Sequence, residues 1–560
     1  MIKIFSFLNG QSKSIASAAI LLGAASLASK FLGMIRERLL VGAFGAGDNL
    51  DAYFAAFQIP NFAFNLLVSA TLSVAFIPVF CEYLNRDKRE AWKIASSVLN
   101  LMIIIMGFLS LIFFIFAPQL VKIISPGYSG EKYDLTLNLT RILLLSPWFF
   151  SISAIFSAIL NSFRSFVLVA IAPLVYNLSI IAGILFLAPI WGIYGVAVGV
   201  VGGAFLHILV QVPGVKKIGF VWQAIIDYAD RGVKTIFKLI IPRILSIDIS
   251  QISQLIGTII GSTLMVGSVA IFNLIYNIEA VPIGVFAVSF VVSAFPNLSH
   301  AIARQDKASF KNDFSYTVRQ ILFFLLPLAI LTFIFRAQIV RLIIGTSNLT
   351  WDETRLASGV LAIFAVSFIF QGIGPLLSRA FFALKNTITP LVVSLFSILI
   401  NLSATFIFLL LLDNNSGFTR FLISTLKLDG LSDIRALALP FGFSVASIFY
   451  AVALLLFLRN KFGYLDGKKI FISFLKYLLA GLIAGFVGYA GLYFIEPFIN
   501  TLTFLGILIQ LVFATIIALA AFTIVALLLR SEEMVSFVNS IERKMGKSVR
   551  SLDIGEAEKL

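Results

Sequence analysis

The sequence predicts an all-α polytopic membrane protein of about fourteen transmembrane helices, arranged as two six-helix lobes related by pseudo-two-fold symmetry plus two C-terminal helices. Three observations predict it. The 560 residues are 60% hydrophobic and only 12% charged, with a mean hydropathy of +1.02, far more apolar than a soluble chain of this length. Apolar runs of the ~20 residues that cross a bilayer core recur from end to end. The connections between those runs alternate in charge.

Spans are expected near residues 14–44, 52–83, 91–117, 135–162, 166–188, 192–214, 236–263, 266–298, 316–345, 356–384, 389–412, 436–458, 469–495 and 503–529. The first run lacks a small-residue cleavage site and reads as a retained span rather than a signal peptide. One set of connections carries Arg86, Lys88, Arg89 and Lys93, then Arg164, Lys216, Lys217, Arg231, Lys234 and Lys238, and continues through Arg304, Lys307, Arg379, Lys385, Arg459 and Lys461. The opposite set is poorer in Lys and Arg and holds Asp48, Asp51, Asp352, Glu353, Asp429 and Asp433. The positive-inside rule then puts both termini in the cytoplasm. The net charge of +15 is accounted for by these loops and calls for no nucleic acid. A single cysteine, Cys81, excludes an intrachain disulfide, and with only His207 and His300 a multi-histidine metal centre is not expected.

The chain echoes itself. "AIAPLVYNLSIIAGIL" (170–185) resembles "TITPLVVSLFSILINL" (387–402), and spans two and eight share internal prolines, Pro60 and Pro282, with a second pair at Pro78 and Pro296. These pairings divide the chain into an N-lobe (1–217), an interfacial linker (218–235), a C-lobe (236–460), two further spans (461–530) and a cytoplasmic tail (531–560). Parallel repeats of this kind place a substrate site between the halves in known transporters. "VWQAIIDYADRGVKTIFKLI" (221–240) mixes apolar and charged residues as a helix lying in the interface does.

Charge inside the apolar runs marks candidate chemistry, because ionised groups in the bilayer are costly. In "SKFLGMIRERLL" (29–40), Lys30, Gly33 and Glu37 share one helical face, flanked by Arg36 and Arg38. An anionic ligand can meet Lys30 and Arg36 there, with Glu37 as partial balance and Gly33 leaving room; the competing reading is that Arg36 and Arg38 snorkel to the headgroups. Asp51 opens span two, where a helix N-cap is expected. Span seven, "IPRILSIDISQISQLIGTIIGS" (241–262), is unusually polar. Its Arg243 is a ligand candidate or a snorkelling residue, and Asp248 is a candidate for a proton, a cation or a pairing partner. Asn277 and Glu279 in span eight and His207 in span six are read as interhelical hydrogen-bonding residues. Pro60 and Pro282 are expected to kink their helices. No pattern for nucleotide binding, zinc hydrolysis or a nucleophilic triad stands out, so an enzyme is not expected.

The stretch "SKFLGMIRERLLVGAFGAGDNLDAYFAAFQIPN" (29–61) resembles the MurJ (MviN) family of lipid II flippases, with its S-R-x-L-G-x-x-R-[DE] and F-G-A-G-x-x-x-D-A-[FY] patterns. "AFIPVF" (75–80), "RGVKTIFKLIIPR" (231–243), "ISQISQLIGTIIGS" (249–262), "GSVA" (267–270), "VPIGVFAVSF" (281–290) and "FPNLS" (295–299) are similar to later family segments. The resemblance implies the fold of the multidrug/oligosaccharidyl-lipid/polysaccharide exporter superfamily, with a lipid-tail groove at spans 13 and 14. It implies substrate-binding roles for Arg36 and Asp51, with Glu37 where the family commonly has Asp and Lys30 where it has Arg. Two family arginines have uncharged counterparts here, one at Phe64 or Asn65 and one at Asn277, and Arg243 is a possible replacement.

The implied substrate and partner is lipid II, an undecaprenyl-pyrophosphate-linked disaccharide-peptide, moved between leaflets of the bacterial cytoplasmic membrane by a monomer in alternating access. No cofactor or metal is expected, only dependence on membrane potential or a cation gradient. The rival readings are an exporter of another polyprenyl-linked glycan or of a drug, and a non-transporting cell-wall scaffold.

Overall fold

A computed structural model describes residues 15–65, 75–244, 249–413 and 416–544. Every regular element among them is a helix. Eleven of these helices are long and apolar enough to cross a membrane, running from Lys88–Ile115 to Phe504–Leu528. The three other expected spans fall on the helix Ile15–Phe44 and on two regions, the second and seventh, each interrupted by residues outside the description. Many large apolar side chains on these helices point outward, among them Phe108, Phe186, Phe406 and Phe486. That surface suits lipid rather than water.

The residues group into two compact units. The first comprises Met1–Ile278 with Ile343–Leu356 and Gly430–Leu439. Its helices are α1 (Ile15–Phe44), α2 (Asp48–Phe64), α3 (Ile77–Arg86), α4 (Lys88–Ile115), α5 (Ala117–Ile124), α6 (Gly130–Leu143), α7 (Leu145–Ser162), α8 (Phe166–Ala182), α9 (Ala188–Trp191), α10 (Ile193–Lys217), α11 (Arg231–Ile244), α12 (Ile249–Gly261) and the start of α13 (Ser268–Pro282). A core of Phe76, Phe80, Trp92, Val98, Ile155 and Leu160 ties α3, α4 and α7 together. Trp92 stacks on Phe163 and meets Phe220 edge-on. The pair α8 and α10 approaches closely through small residues, as membrane helices do. A Cβ on Gly199 would lie 2.9 Å from the Gly183 Cα, and one on Gly195 would lie 2.4 Å from the Leu187 carbonyl carbon.

The interfacial helix expected over 221–240 begins only at Arg231. Before it the chain runs as an irregular strap along α4. Asn100 Nδ2 donates to the carbonyls of Gln223 and Ile225 at 2.8 and 2.9 Å, and its Oδ1 accepts from Trp222 Nε1 at 2.8 Å. Ser96 and Ser97 hydroxyls accept from the backbone of Gln223 and Asp227. These side chains take the bonds that a helix would make internally. Asp230 then caps α11, accepting from the Gly232 and Val233 amides.

The second unit comprises Glu279–Leu342, Ala357–Asp429 and Pro440–Leu560. It holds the end of α13, then α14 (Val288–Ala303), α15 (Lys307–Ile343), α16 (Trp351–Ala383), α17 (Ile388–Asp413), α18 (Gly417–Leu426), α19 (Ala438–Phe462), α20 (Gly467–Ile495), α21 (Phe504–Leu528) and α22 (Glu532–Lys544). Between α13 and α14 the five residues Ile283–Ala287 wind more widely than an α-helix. That widening directly follows Pro282, the proline expected to disturb this span. The core centres on Phe310, Phe314, Leu325, Phe335, Leu376, Leu454 and Tyr477. The tail, expected as a polar extension, instead begins with α22 tied down. Arg319 pairs with Glu532 at 3.0 Å and with the buried Glu533, which also accepts from the Tyr477 hydroxyl.

Candidate functional site

The charged stretch of α1 sits beside a cavity of about 150 Å³ within the first unit, lined by Arg36, Glu37, Tyr53, Gln58, Asn61, Tyr176, Gln254, Asn273 and Asn277 among others. At about 30 Å³ for a water molecule, it has room for a few waters or a small anion. It falls well short of the ~300 Å³ at which drug-sized pockets begin. Arg36 is its cation. Its Nη2 bonds Glu37 Oε1 at 2.5 Å, and its Nη1 donates to Asn177 Oδ1 at 3.0 Å. Asn177, on α8, is itself fixed by donating to the Ser29 hydroxyl and the Pro173 carbonyl, both at 3.1 Å.

Glu37 is 3% exposed. Its Oε1 accepts a second bond from Asn277 Nδ2 at 3.2 Å, while its Oε2 is buried with no hydrogen-bond partner among the described residues. An unsatisfied carboxylate oxygen beside a guanidinium is a high-energy arrangement. It leaves that oxygen with room to accept from a further donor. The opposite wall is neutral. Asn273 Oδ1 accepts from Gln254 Nε2 at 2.9 Å and from Gln58 Nε2 at 3.5 Å, and Asn273 Nδ2 donates to the Val269 carbonyl at 2.9 Å.

Of the residues singled out from sequence, Arg36, Glu37 and Asn277 therefore meet in one cavity. Lys30 is partly exposed on α1 and does not line it. Gly33 has open space around it, so no close neighbour demands a glycine there. Phe64 packs edge-on against Phe150, away from the cavity lining. The side chain of Arg243 and all of Asp248 lie outside the described residues.

Asp51 has a different role from the expected cap of its own helix, and it does not line the cavity. It lies inside the first turn of α2, and its carboxylate caps α13 instead. Oδ2 accepts from the Gly267 amide and Oδ1 from the Ala270 amide, each at 2.8 Å. Lys132 on α6 completes the site, 2.7 Å from Asp51 Oδ2 and 2.7 Å from Asp48 Oδ1. Gly267 has φ +89 and presses against the Ala46 carbonyl, where a Cβ would lie 2.2 Å away. The segments "FGAGDNLD" and "GSVA" are thus two halves of one structural joint. His207 is interhelical as expected, 2.5 Å from the Ser153 hydroxyl.

Asn177, Asn273, Tyr53 and Tyr176 escaped sequence reading. Each is a neutral polar side chain in an apolar run, and the one signal available was an amide or a phenol hydroxyl within a span.

A sequence model described as "Lipid II flippase MurJ" matches residues 40–514. The chain belongs to the MurJ family. It is 29% identical over 384 residues to the probable lipid II flippase MurJ of Buchnera aphidicola subsp. Acyrthosiphon pisum, covering 67% of this chain and 75% of that protein. With the probable lipid II flippase MurJ of Haemophilus influenzae it is 25% identical over 504 residues, 85% of this chain and 91% of that one.

Among solved structures, a lipid II flippase MurJ in an inward closed conformation superposes with a TM-score of 0.71 at 24% identity, over 90% of this chain and 99% of that chain. An inward-facing multidrug resistance MATE family transporter of the MOP superfamily superposes with a TM-score of 0.61 at 16% identity, over 78% and 96%. The chain therefore shares the all-helical fold of these solved structures.

Proposed function

We propose that this chain is a lipid II flippase, moving the undecaprenyl-pyrophosphate-linked precursor of peptidoglycan from the inner to the outer leaflet of the bacterial cytoplasmic membrane, with both termini cytoplasmic. The observation that carries the reading is the family match across residues 40–514, joined to relatives named as lipid II flippases over most of their own length. As a flippase the chain is a transporter and not an enzyme.

The chemistry of the first unit supports the reading. A pyrophosphate leaving water needs charge-assisted donors, and a guanidinium offers two in a plane. Arg36 presents such a pair, occupied by Glu37 and Asn177 in this state. The headgroup would displace Glu37 as the partner of Arg36, and Asn277 would hold the released carboxylate. The cavity is too small for a disaccharide-peptide, so transport requires a wider state. A monomer alternating between two access states meets that need, with the bias supplied by differential binding together with membrane potential or a cation gradient.

The test is complementation of a bacterium depleted of its own flippase, with lipid II exposure measured at the outer leaflet. Restored exposure is expected. A well-expressed, membrane-inserted chain that leaves lipid II inside would overturn the proposal.

A further inference from the structure

Glu279 is a buried acid that the site around Arg36 does not use. It lies on α13 in the second unit, 1% exposed, one helical turn before the widened segment Ile283–Ala287. Its Oε2 accepts one hydrogen bond, from Gln371 Nε2 on α16 at 3.0 Å. Its Oε1 is buried and has no hydrogen-bond partner among the described residues. The nearby polar groups are already committed to one another. Gln371 Nε2 also donates to the Ser367 hydroxyl at 2.9 Å, that hydroxyl donates to the Phe364 carbonyl at 2.9 Å, and Ser444 on α19 bonds Ser367 at 3.1 Å.

No ion pair reaches Glu279 among the described residues, and the cations of α15, α16 and α19 are engaged elsewhere or lie at helix ends, as do the exposed Lys307 and the Arg355 that pairs with Asp352. On α15, Lys311 lies over the Tyr464 ring, Arg319 pairs with Glu532 and Glu533, Arg336 donates to the carbonyls of Phe333 and Thr425, and Arg341 donates to that of Thr501. On α16, Arg379 donates to the Val291 carbonyl and sits over Phe295. On α19, the basic residues Arg459 and Lys461 are confined to the last turn. Among the described residues, the surroundings of Glu279 thus offer one neutral donor and no positive charge. An ionised carboxylate is strongly disfavoured in such a place, all the more at membrane depth.

We propose that Glu279 is a proton-binding site of the second unit, holding its proton on Oε1 in the state described here. One proton removes the charge and leaves Oε2 free to accept from Gln371, as observed. A metal ion would need several further ligands, and among the described residues no group of three His, Cys, Asp or Glu gathers to provide them. The site adjoins the widened winding of its own helix after Pro282, a kind of local irregularity often found at functional sites. Loss of the proton to water creates a charge that demands donors or solvent, so the charge state of Glu279 biases that widened segment. Its role in transport rests on the flippase reading. Proton binding itself does not.

The test uses the full chain in lipid vesicles. Infrared difference spectra of wild type and Glu279→Gln at neutral pH should show a protonated carboxylic acid C=O band that the substitution removes. The unfolding temperature of Glu279→Gln should match wild type, because an amide is the nearest neutral mimic of the protonated acid. Absence of the band overturns the proposal, and so does a Glu279→Gln chain that is destabilised or fails to fold. An unfolding temperature raised by sodium over choline in wild type alone would make the site one for an alkali cation and overturn it too. In a flipping assay, Glu279→Gln should lose the pH dependence of wild type. A pH-independent wild type would overturn the coupling while leaving the proton site, and a chain that shows the band but never flips lipid II would overturn the flippase reading alone.

Discussion

Arg36 and Arg38 are two residues apart on α1, yet Arg36 alone lines the cavity. Arg36→Ala should abolish complementation of a flippase-depleted strain at unchanged membrane level, and Arg36→Lys should fall well short of wild type, because an ammonium cannot present two coplanar donors. Arg38→Ala should complement; abolition by Arg38→Ala and not by Arg36→Ala would reverse the assignment. Asp51 belongs to the same stretch of sequence but to structure. Asp51→Ala leaves two amides and most of Lys132 without their acceptor, and removing one partner of a buried ion pair costs about 3–5 kcal/mol. The exposed Asp48 contributes ~1 kcal/mol at most, so the unfolding temperature in detergent should drop sharply for Asp51→Ala and little for Asp48→Ala. Sequence reading singled out the charged residues because charge in an apolar run is conspicuous. It could not see that Asp51 caps a helix 216 residues away, nor that Asn273 lines the cavity and Asn177 holds Arg36, since single amides are common in membrane helices.

Among the elements, the strap before α11 shows how a periodic pattern can mislead. Residues 221–230 have the mixed apolar and charged pattern of an interfacial helix, and only the polar face of α4, with Ser96, Ser97 and Asn100, explains why they do not form one. Asn100→Leu removes three hydrogen bonds from the strap, leaving two carbonyls and an indole N–H without their partner. The expected cost is about 2–3 kcal/mol, read as a lower unfolding temperature and faster amide exchange over 222–227. The α8–α10 pair makes the complementary case for shape. Gly195→Val forces atoms into the Leu187 backbone, and overpacking of this kind costs ~1–3 kcal/mol; the variant should unfold at lower temperature, while a change at the open Gly33 should not.

For the whole molecule, hydropathy made most of the spans legible, with long helices where apolar runs were marked, because lipid permits few ways of satisfying a backbone. The tail was less legible, since α22 is held by a single cluster whose partners lie far away in sequence. Burial tends to raise the Glu532 carboxyl, but hydrogen bonds from Lys469 and Arg319 outweigh it and hold it below the ordinary glutamate range. A carboxylate lowered in this way stabilises fully above its unfolded value, ~4.3, and loses that contribution as pH falls through its folded value. Amide protection across 532–544, relative to the intrinsic exchange rate at each pH, should therefore fall below about pH 4 and stay high at neutral pH. Glu533→Ala, which removes the buried partner of Arg319, should loosen the same helix at every pH.

The joint at Asp51 also bears on how the chain is made. During synthesis Asp51 enters the membrane long before Gly267 and Ala270 exist, while Lys132 follows only 81 residues behind it. The cation is thus synthesised first, and the two amides on the order of ten seconds later at ordinary elongation rates. Of the groups that hold Asp51 in the folded chain, Lys132 is the one available while the helix that Asp51 is to cap has not yet been translated.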